Sequence, residues 1–285
     1  MLDANFNINS TRETQLTNCF GILPLEPECK DEYIKIPIDL PWTELQKDVN
    51  LAFENFGWYG MIHRRQNNWN RSTLYGGLGL TYNPDYKFDL PKHAHALGNP
   101  RSTTKIVDPK IWIHDLESYI YSNNIDTSNF NTYADCLGLR NETDVTKFRS
   151  FASVFAKLKR KLIQGRLAEI RPRFIMKNDM EFMWHTDEKN EFVSRLLIPI
   201  TYNDDYFIEF KETGTKLYFE PGYAYHWNTY KVHRWNFNYR RGMANRTCIV
   251  VGWSPWLEFD GERWSTNEYC NKIHPTDMIN KGLVI

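Results

Sequence analysis

The chain has no C-x-x-C pair, and its cysteines form no closely spaced even set: Cys19, Cys29, Cys136, Cys248 and Cys270 are odd in number and scattered. A disulfide frame and a zinc knuckle are thereby disfavoured, and reduced thiols are expected. The chain also lacks an excess of either charge, since 35 Lys and Arg balance 35 Asp and Glu. No global field draws it toward nucleic acid or an anionic membrane. No run approaches the roughly 18 apolar residues of a membrane span, and MLDANFNINSTRETQ has no basic start followed by an apolar stretch. A cytoplasmic protein is expected. The G-x-S-x-G elbow, the G-x-x-x-x-G-K-[ST] loop, the H-E-x-x-H helix and a G-x-G-x-x-G after a strand are missing as well. GGLGLTYNP, at 76 to 84, reads as a glycine turn without the helix a phosphate cradle needs.

What the chain does have is aromatic surface. Ten Trp, sixteen Tyr and seventeen Phe in 285 residues favour strands and a broad cleft over a helical bundle. One domain over 1–285 is expected, with 1–165 as helices and loops supporting a core at 166–258, and 259–285 as a tail. Pro24, Pro27, Pro37 and Pro41 mark extended edge pieces at the start. TELQKDVNLAFENF places Leu45, Val49, Ala52, Phe53 and Phe56 on one helical face, with Thr43 as cap and Gly57 as stop. Residues 58–110 show weak periodicity and read as long irregular loops of the functional kind. KFRSFASVFAKLKRKLIQG predicts a helix burying Phe148, Phe151, Ala152, Phe155, Leu158 and Leu162 and ended by Gly165, with Lys157, Lys159, Arg160 and Lys161 on a solvated face. From Leu167 onward eight short strands follow at turn spacing: LAEIRPRFIM, EFMWH, SRLLIPITY, YFIEFKE, TKLYFE, YAYHWN, KVHRWNFN and TCIVVGWSP. That pattern is mainly β (α+β), a sandwich or jelly roll with helices packed outside.

Within it, FMWHTDEKNEF carries His185 and Asp187 two apart. Strand side chains alternate with period two, so both project to one side. An imidazole and a carboxylate converging on one face need a common partner if buried, and a metal ion is one. A third ligand is available at His226 or His233, each in a later strand that an antiparallel sandwich can return beside the first. Two histidines and one carboxylate occupy one face of an octahedral Fe(II) and leave the remaining positions open to a co-substrate and O₂. If the co-substrate is 2-oxoglutarate, its distal carboxylate needs a cation. Arg246, at the start of RTCIVVGW and thirteen residues after His233, has the rigid fork for that.

WHTDEKNEFVSRLLIPI followed by EPGYAYHWNTYKVHRWNFNYRRGMANRTCIVVGWSP resembles the core of the 2-oxoglutarate and Fe(II)-dependent oxygenases, and most the aspartyl/asparaginyl β-hydroxylase-like branch. The resemblance spans Trp184 to Pro255. It implies a double-stranded β-helix (jelly-roll, cupin-like) core, His185, Asp187 and His233 as iron ligands, Arg246 as the 2-oxoglutarate anchor, and Arg195 as a second cation near cofactor or substrate. It also implies a dioxygenase that hydroxylates an unactivated C–H bond, with an amino-acid side chain, free or peptidyl, as substrate. Another small molecule, a nucleobase, or a jelly-roll protein that binds without turnover are the alternatives. Two departures stand out: where many members read R-x-H this chain has Leu197, and the animal aspartyl hydroxylases lack the carboxylate ligand present here as Asp187.

The flanking Trp184, Trp227, Trp235 and Trp253 read as core or pocket wall, and His93 and His95 as loop residues. HRRQNNWNR mixes basic, amide and aromatic groups as some single-strand binders do. With no net charge, a solvated loop is favoured there.

Overall fold

The computed structural model describes residues 12–25, 31–65, 68–82, 84, 92, 141–171, 184–187, 189–238 and 243–285. In chain order these form α1 (Arg12–Phe20), β1 (Tyr33–Pro37), α2 (Trp42–Phe56), β2 (Tyr59–Arg65), β3 (Asn68–Gly79), β4 (Thr81–Tyr82) and β5 (Asn141–Glu142). A 3₁₀ turn (Asp144–Lys147), α3 (Arg149–Phe155), β6 (Gln164–Ile170), β7 (Ser194–Pro199), β8 (Tyr206–Phe210) and β9 (Lys216–Tyr218) follow. The chain closes with β10 (Tyr223–Trp227), β11 (His233–Phe237), β12 (Arg246–Trp253), β13 (Leu257–Phe259), β14 (Trp264–Thr266) and α4 (Pro275–Asn280).

Two antiparallel sheets face each other. The larger has the order β1-β10-β7-β12-β6-β3-β2 and the smaller β11-β8-β9. After β6 the chain alternates between them, with β7, β10 and β12 in the large sheet and β8, β9 and β11 in the small one. This is the winding of a double-stranded β-helix. The strand expected at EFMWH lies mostly outside the described residues, but its end, His185, forms a bridge with His233 and so extends the small sheet beyond β11.

Alternation sorts the large sheet's side chains into two cores. Ala168, Leu197, Tyr225, Trp227, Cys248 and Val250 point between the sheets and meet Ile208, Phe210, Leu217 and Phe219. Their neighbours Leu167, Leu196, Ile198, Ala224, Ile249 and Val251 point the other way, into a layer with Leu16 of α1, Leu45 and Val49 of α2, Phe151 of α3 and Met278 of α4. Both faces of the central strands are covered, and every residue of β7 and β12 is buried. None of the described helices is long and apolar enough to cross a membrane.

The first half of the chain departs from the sequence expectations in three places. Tyr59–Arg65, Asn68–Gly79 and Thr81–Tyr82, expected to be irregular, are strands: β2 and β3 pair with each other and β3 docks on β6, so the large sheet gains two strands. The glycines of GGLGLTYNP serve that docking and make no turn. A Cβ on Gly77 would sit 1.7 Å from the carbonyl oxygen of Leu167, so only glycine permits the approach. Second, α2 begins at Trp42 with Pro41 at the cap position, so Thr43 does not cap it, while Gly57 ends it at φ +83°. Third, α3 has seven residues, with Phe151 and Val154 buried and Ala152 exposed. Gly165 lies inside β6, opposite Val251 of β12.

The basic run that lengthened the expected helix is spent on the C-terminal stretch. Lys159 Nζ donates to the Gly282 carbonyl at 2.7 Å, Arg160 Nε to that of Leu283 at 3.1 Å, and Arg160 Nη1 to Glu258. Arg160, with its side chain only 11% exposed, is a clamp and not part of a solvated face. Cys19, Cys248 and Cys270 are free thiols. Cys29, Cys136, His93 and His95 lie outside the described residues.

Candidate metal centre

The site begins with backbone pairing. His185 and His233 exchange two main-chain hydrogen bonds of 3.0 Å each, one full rung of an antiparallel ladder. Residues so paired carry their side chains to the same face, and the two imidazoles stand with centroids 4.5 Å apart. Asp187, two residues on, is tied by its own N–H to the Thr229 carbonyl at 2.9 Å. The donor atoms of His185, Asp187 and His233 all lie within 4.8 Å of one another. His185 is exposed and His233 is buried. The centre therefore opens toward solvent on one side and backs onto Phe210, whose ring centroid is 6.3 Å from that of His233.

The tautomer of His233 follows from chemistry. Its Nδ1 lies 2.8 Å from the Lys231 carbonyl, which can only accept, so Nδ1 carries the proton and Nε2 offers its lone pair. Burial lowers the pKa of His233 below the ordinary histidine value, and positive charge at the neighbouring His185 adds to this against the Lys231 contact. Neutral imidazole is the form that ligates a metal.

His226, the other candidate, is on the wrong face. In β10 the flanking Tyr225 and Trp227 point between the sheets, so His226 points away from them. There its Nδ1–H donates to the Arg195 carbonyl at 3.0 Å, and its Nε2 accepts from the Asn190 amide at 3.3 Å. Desolvation pushes its pKa down to about 4. Asn190 also accepts from Thr229 at 3.3 Å, and its carbonyl accepts from Ser194. The imidazole is thus a neutral structural post under the segment that carries Asp187.

Arg195 reaches the centre from β7, buried, with Nη1 3.5 Å from the Asp187 carboxylate. It stands beside the carboxylate candidate, in position to orient it. Arg246 lies deeper. It is 3% exposed, stacked on Trp235 at 4.1 Å and Phe219 at 4.8 Å, with Nη1 3.5 Å from Cys248 Sγ. Its Nη2 is buried and has no hydrogen-bond partner among the described residues. Such a group is costly unless a ligand satisfies it.

His233 and Trp235 are two apart on one strand face, about 7 Å along the chain. The three-ligand cluster and the stacked guanidinium are therefore spaced for a short diacid to span. Trp235 and Phe219 as the walls around Arg246 were not singled out for that role in the sequence, although their period-two spacing from His233 and Leu217 carries it. Of the four tryptophans, Trp227 and Trp235 face the interior. Trp253 belongs to the helix-side layer, and Trp184 lies under the Arg234 guanidinium at 4.3 Å.

No family model matches the chain, and no curated protein does. Among solved structures, NgTET1 in complex with 5mC DNA aligns at 13% identity and a TM-score of 0.33, covering 77% of this chain and 70% of that one. The viral collagen prolyl hydroxylase of Paramecium Bursaria Chlorella virus-1, solved as its 2OG complex, aligns at 10% identity and a TM-score of 0.31, covering 78% and 95%. At such scores the functional reading rests on the chain's own residues.

Proposed function

We propose that this protein is an Fe(II)- and 2-oxoglutarate-dependent dioxygenase that hydroxylates an unactivated C–H bond. The observation that carries the reading is the pairing of two features inside one jelly roll. Two histidines and a carboxylate converge within 4.8 Å, and a buried guanidinium with an unsatisfied Nη2 waits deeper in the same interior. The donor set is that of a mononuclear iron site with open positions. The orphaned Nη2 fits the distal carboxylate of the keto acid.

His185, Asp187 and His233 would hold the metal. Arg195 would keep the Asp187 carboxylate turned toward it, and Lys231 would fix the His233 tautomer. Arg246, held against Trp235 and Phe219, would orient 2-oxoglutarate through a forked contact. Together the metal, 2-oxoglutarate and O₂ supply the oxidising equivalent, with succinate and CO₂ released. The chain's share of the work is to orient the reactants and to exclude water through the aromatic interior.

The motif likeness to the aspartyl/asparaginyl branch supports an amino-acid side chain, free or peptidyl, as the substrate. The free thiols among the described residues, Cys19, Cys248 and Cys270, support a cytoplasmic location. The test is an anaerobic titration with Fe(II) and 2-oxoglutarate. A weak visible charge-transfer band is expected, saturating at one iron per chain and missing in His185→Ala. No band in the folded wild-type protein would sink the proposal.

A further inference from the structure

Asp187 is held at both of its ends, and the two supports meet. Its main-chain N–H donates to the Thr229 carbonyl at 2.9 Å, and its carboxylate lies 3.5 Å from Arg195 Nη1. From Thr229 the contacts continue through the hydroxyl, which donates to Asn190 Oδ1 at 3.3 Å, and through Asn190 Nδ2, 3.3 Å from His226 Nε2. His226 Nδ1 then reaches the Arg195 carbonyl at 3.0 Å, which returns the path to the residue that touches the carboxylate. Asp187, Thr229, Asn190, His226 and Arg195 thus close a ring. It passes through the large sheet, because Arg195 meets Asp187 with its side chain and His226 with its main chain.

One fixed point sets the direction of every donor in the ring. The Arg195 carbonyl can only accept, so His226 carries its proton on Nδ1; neutral imidazole then accepts at Nε2, and Asn190 presents its amide nitrogen there and its oxygen to Thr229. Asn190, His226, Thr229 and Arg195 are all buried, so water does not compete for these contacts and each bond polarises the next. The corner at Asn190 is also pinned from outside. Lys189 N–H donates to the Glu13 carboxylate of α1 at 2.7 Å, and the Ser194 hydroxyl donates to the Asn190 carbonyl at 2.8 Å. The buried Glu191 carboxylate accepts from Leu25 N–H at 3.1 Å and faces His274 Nε2, the cap of α4, at 3.8 Å. A ring with a fixed corner holds its far side in place, and the far side here is Asp187.

We propose that Asn190 and His226 are positioning residues of the metal centre: through this ring they fix the main chain and the carboxylate of Asp187 together, and so set the affinity for the ion without touching it. The proposal rests on the reading of His185, Asp187 and His233 as a metal centre and needs nothing of the co-substrate. Hydrogen-bonded partners behind a ligand are worth about ten- to a hundredfold in metal affinity. That effect is separable from folding, because the ring can be kept closed with different chemistry or opened with the same shape.

The test uses the full chain with Co(II) as the probe, its affinity read by equilibrium dialysis and its coordination by visible absorption, while urea unfolding of the metal-free chain reads stability separately. Asn190→Leu keeps the volume and opens the ring at two contacts, and Co(II) affinity should fall at least tenfold with a changed absorption spectrum. Asn190→Asp still accepts from Thr229 and pairs with a protonated His226, so the ring stays closed; affinity within about threefold of the wild type and an unchanged spectrum are expected. Thr229→Val opens the ring by one methyl-for-hydroxyl exchange, leaves the carbonyl that holds Asp187, and decides the matter if Asn190→Leu does not fold; its affinity should also fall at least tenfold. Wild-type affinity and spectrum in Thr229→Val overturn the proposal, as does a loss in Asn190→Asp as deep as in Asn190→Leu. A wild-type chain that takes up no Co(II) overturns it together with the oxygenase reading. Ring-dependent Co(II) uptake in a chain that gives no charge-transfer band with Fe(II) and 2-oxoglutarate upholds the ring and sinks the oxygenase reading alone.

Discussion

Replacing Arg246 by methionine separates a ligand anchor from a structural residue, because the two roles predict opposite effects on the unliganded protein. The substitution removes a buried Nη2 that nothing described satisfies, a cost of about 1–3 kcal/mol in the native state. It also removes stacking on Trp235 and Phe219, each contact worth about 0.5–2 kcal/mol. These nearly cancel, and the flexible thioether fills much of the same volume against the rings. Arg246→Met should therefore unfold within about 1 kcal/mol of the wild type when no ligand is present. With 2-oxoglutarate the two should diverge. A ligand at a hundred times its Kd stabilises a protein by about 2.7 kcal/mol, and losing a buried charge-paired contact costs about 2–5 kcal/mol of binding. Weakening of thirtyfold or more is expected, leaving the variant with about 0.9 kcal/mol of stabilisation or less at the same concentration. Urea unfolding with Mn(II) present, with and without 2-oxoglutarate, reads both quantities. A variant that collapses without ligand, or one that gains as much as the wild type from 2-oxoglutarate, would refute the assignment.

Acid stability should report on His226. Its folded pKa of about 4 lies below the ordinary value of 6.5, so the unfolded chain binds the extra proton between those two pH values. The associated stability, about 3 kcal/mol, is fully present above pH 6.5 and is lost as pH falls toward 4. His226→Gln should flatten that slope in urea unfolding, and an unchanged slope would contradict the buried neutral assignment. Asp187→Ala and His233→Ala should each leave the fold cooperative by circular dichroism while reducing Fe(II) affinity at least a hundredfold in equilibrium dialysis. Gly77→Ala, whose Cβ would meet the Leu167 carbonyl at 1.7 Å, should cost about 2 kcal/mol or more in thermal unfolding.

The core was legible because its strands announce themselves twice, through β-branched and aromatic runs and through turns at short spacing. SRLLIP and RTCIVVGW became β7 and β12 where they were expected. The clustering of His185, Asp187 and His233 was foreshadowed by the two-residue spacing of the first pair. The histidine choice could have been read the same way. In YHW the two aromatics claim the interior, which turns His226 outward, whereas His233 shares its phase with Trp235 and Phe237. The first half was harder. β2 and β3 are built from Asn, Arg and Gly, and their strand state is imposed by docking on β6, a long-range contact that local propensity does not carry. The helix expected from 147 to 165 ends at Phe155 because leucines and lysines at helical spacing fit both a helix and a clamp. The hydrogen bonds of Lys159 and Arg160 to the chain's last residues belong to the clamp.

The rung between residues 185 and 233 has a consequence for how such a protein can change. Because peptide groups set the spacing of the two residues, the hairpins strung between them are free to lengthen, shorten or exchange their tips without moving one imidazole from the other. Variation in what lies near the pair can accumulate in those loops, while the pair itself stays as it was.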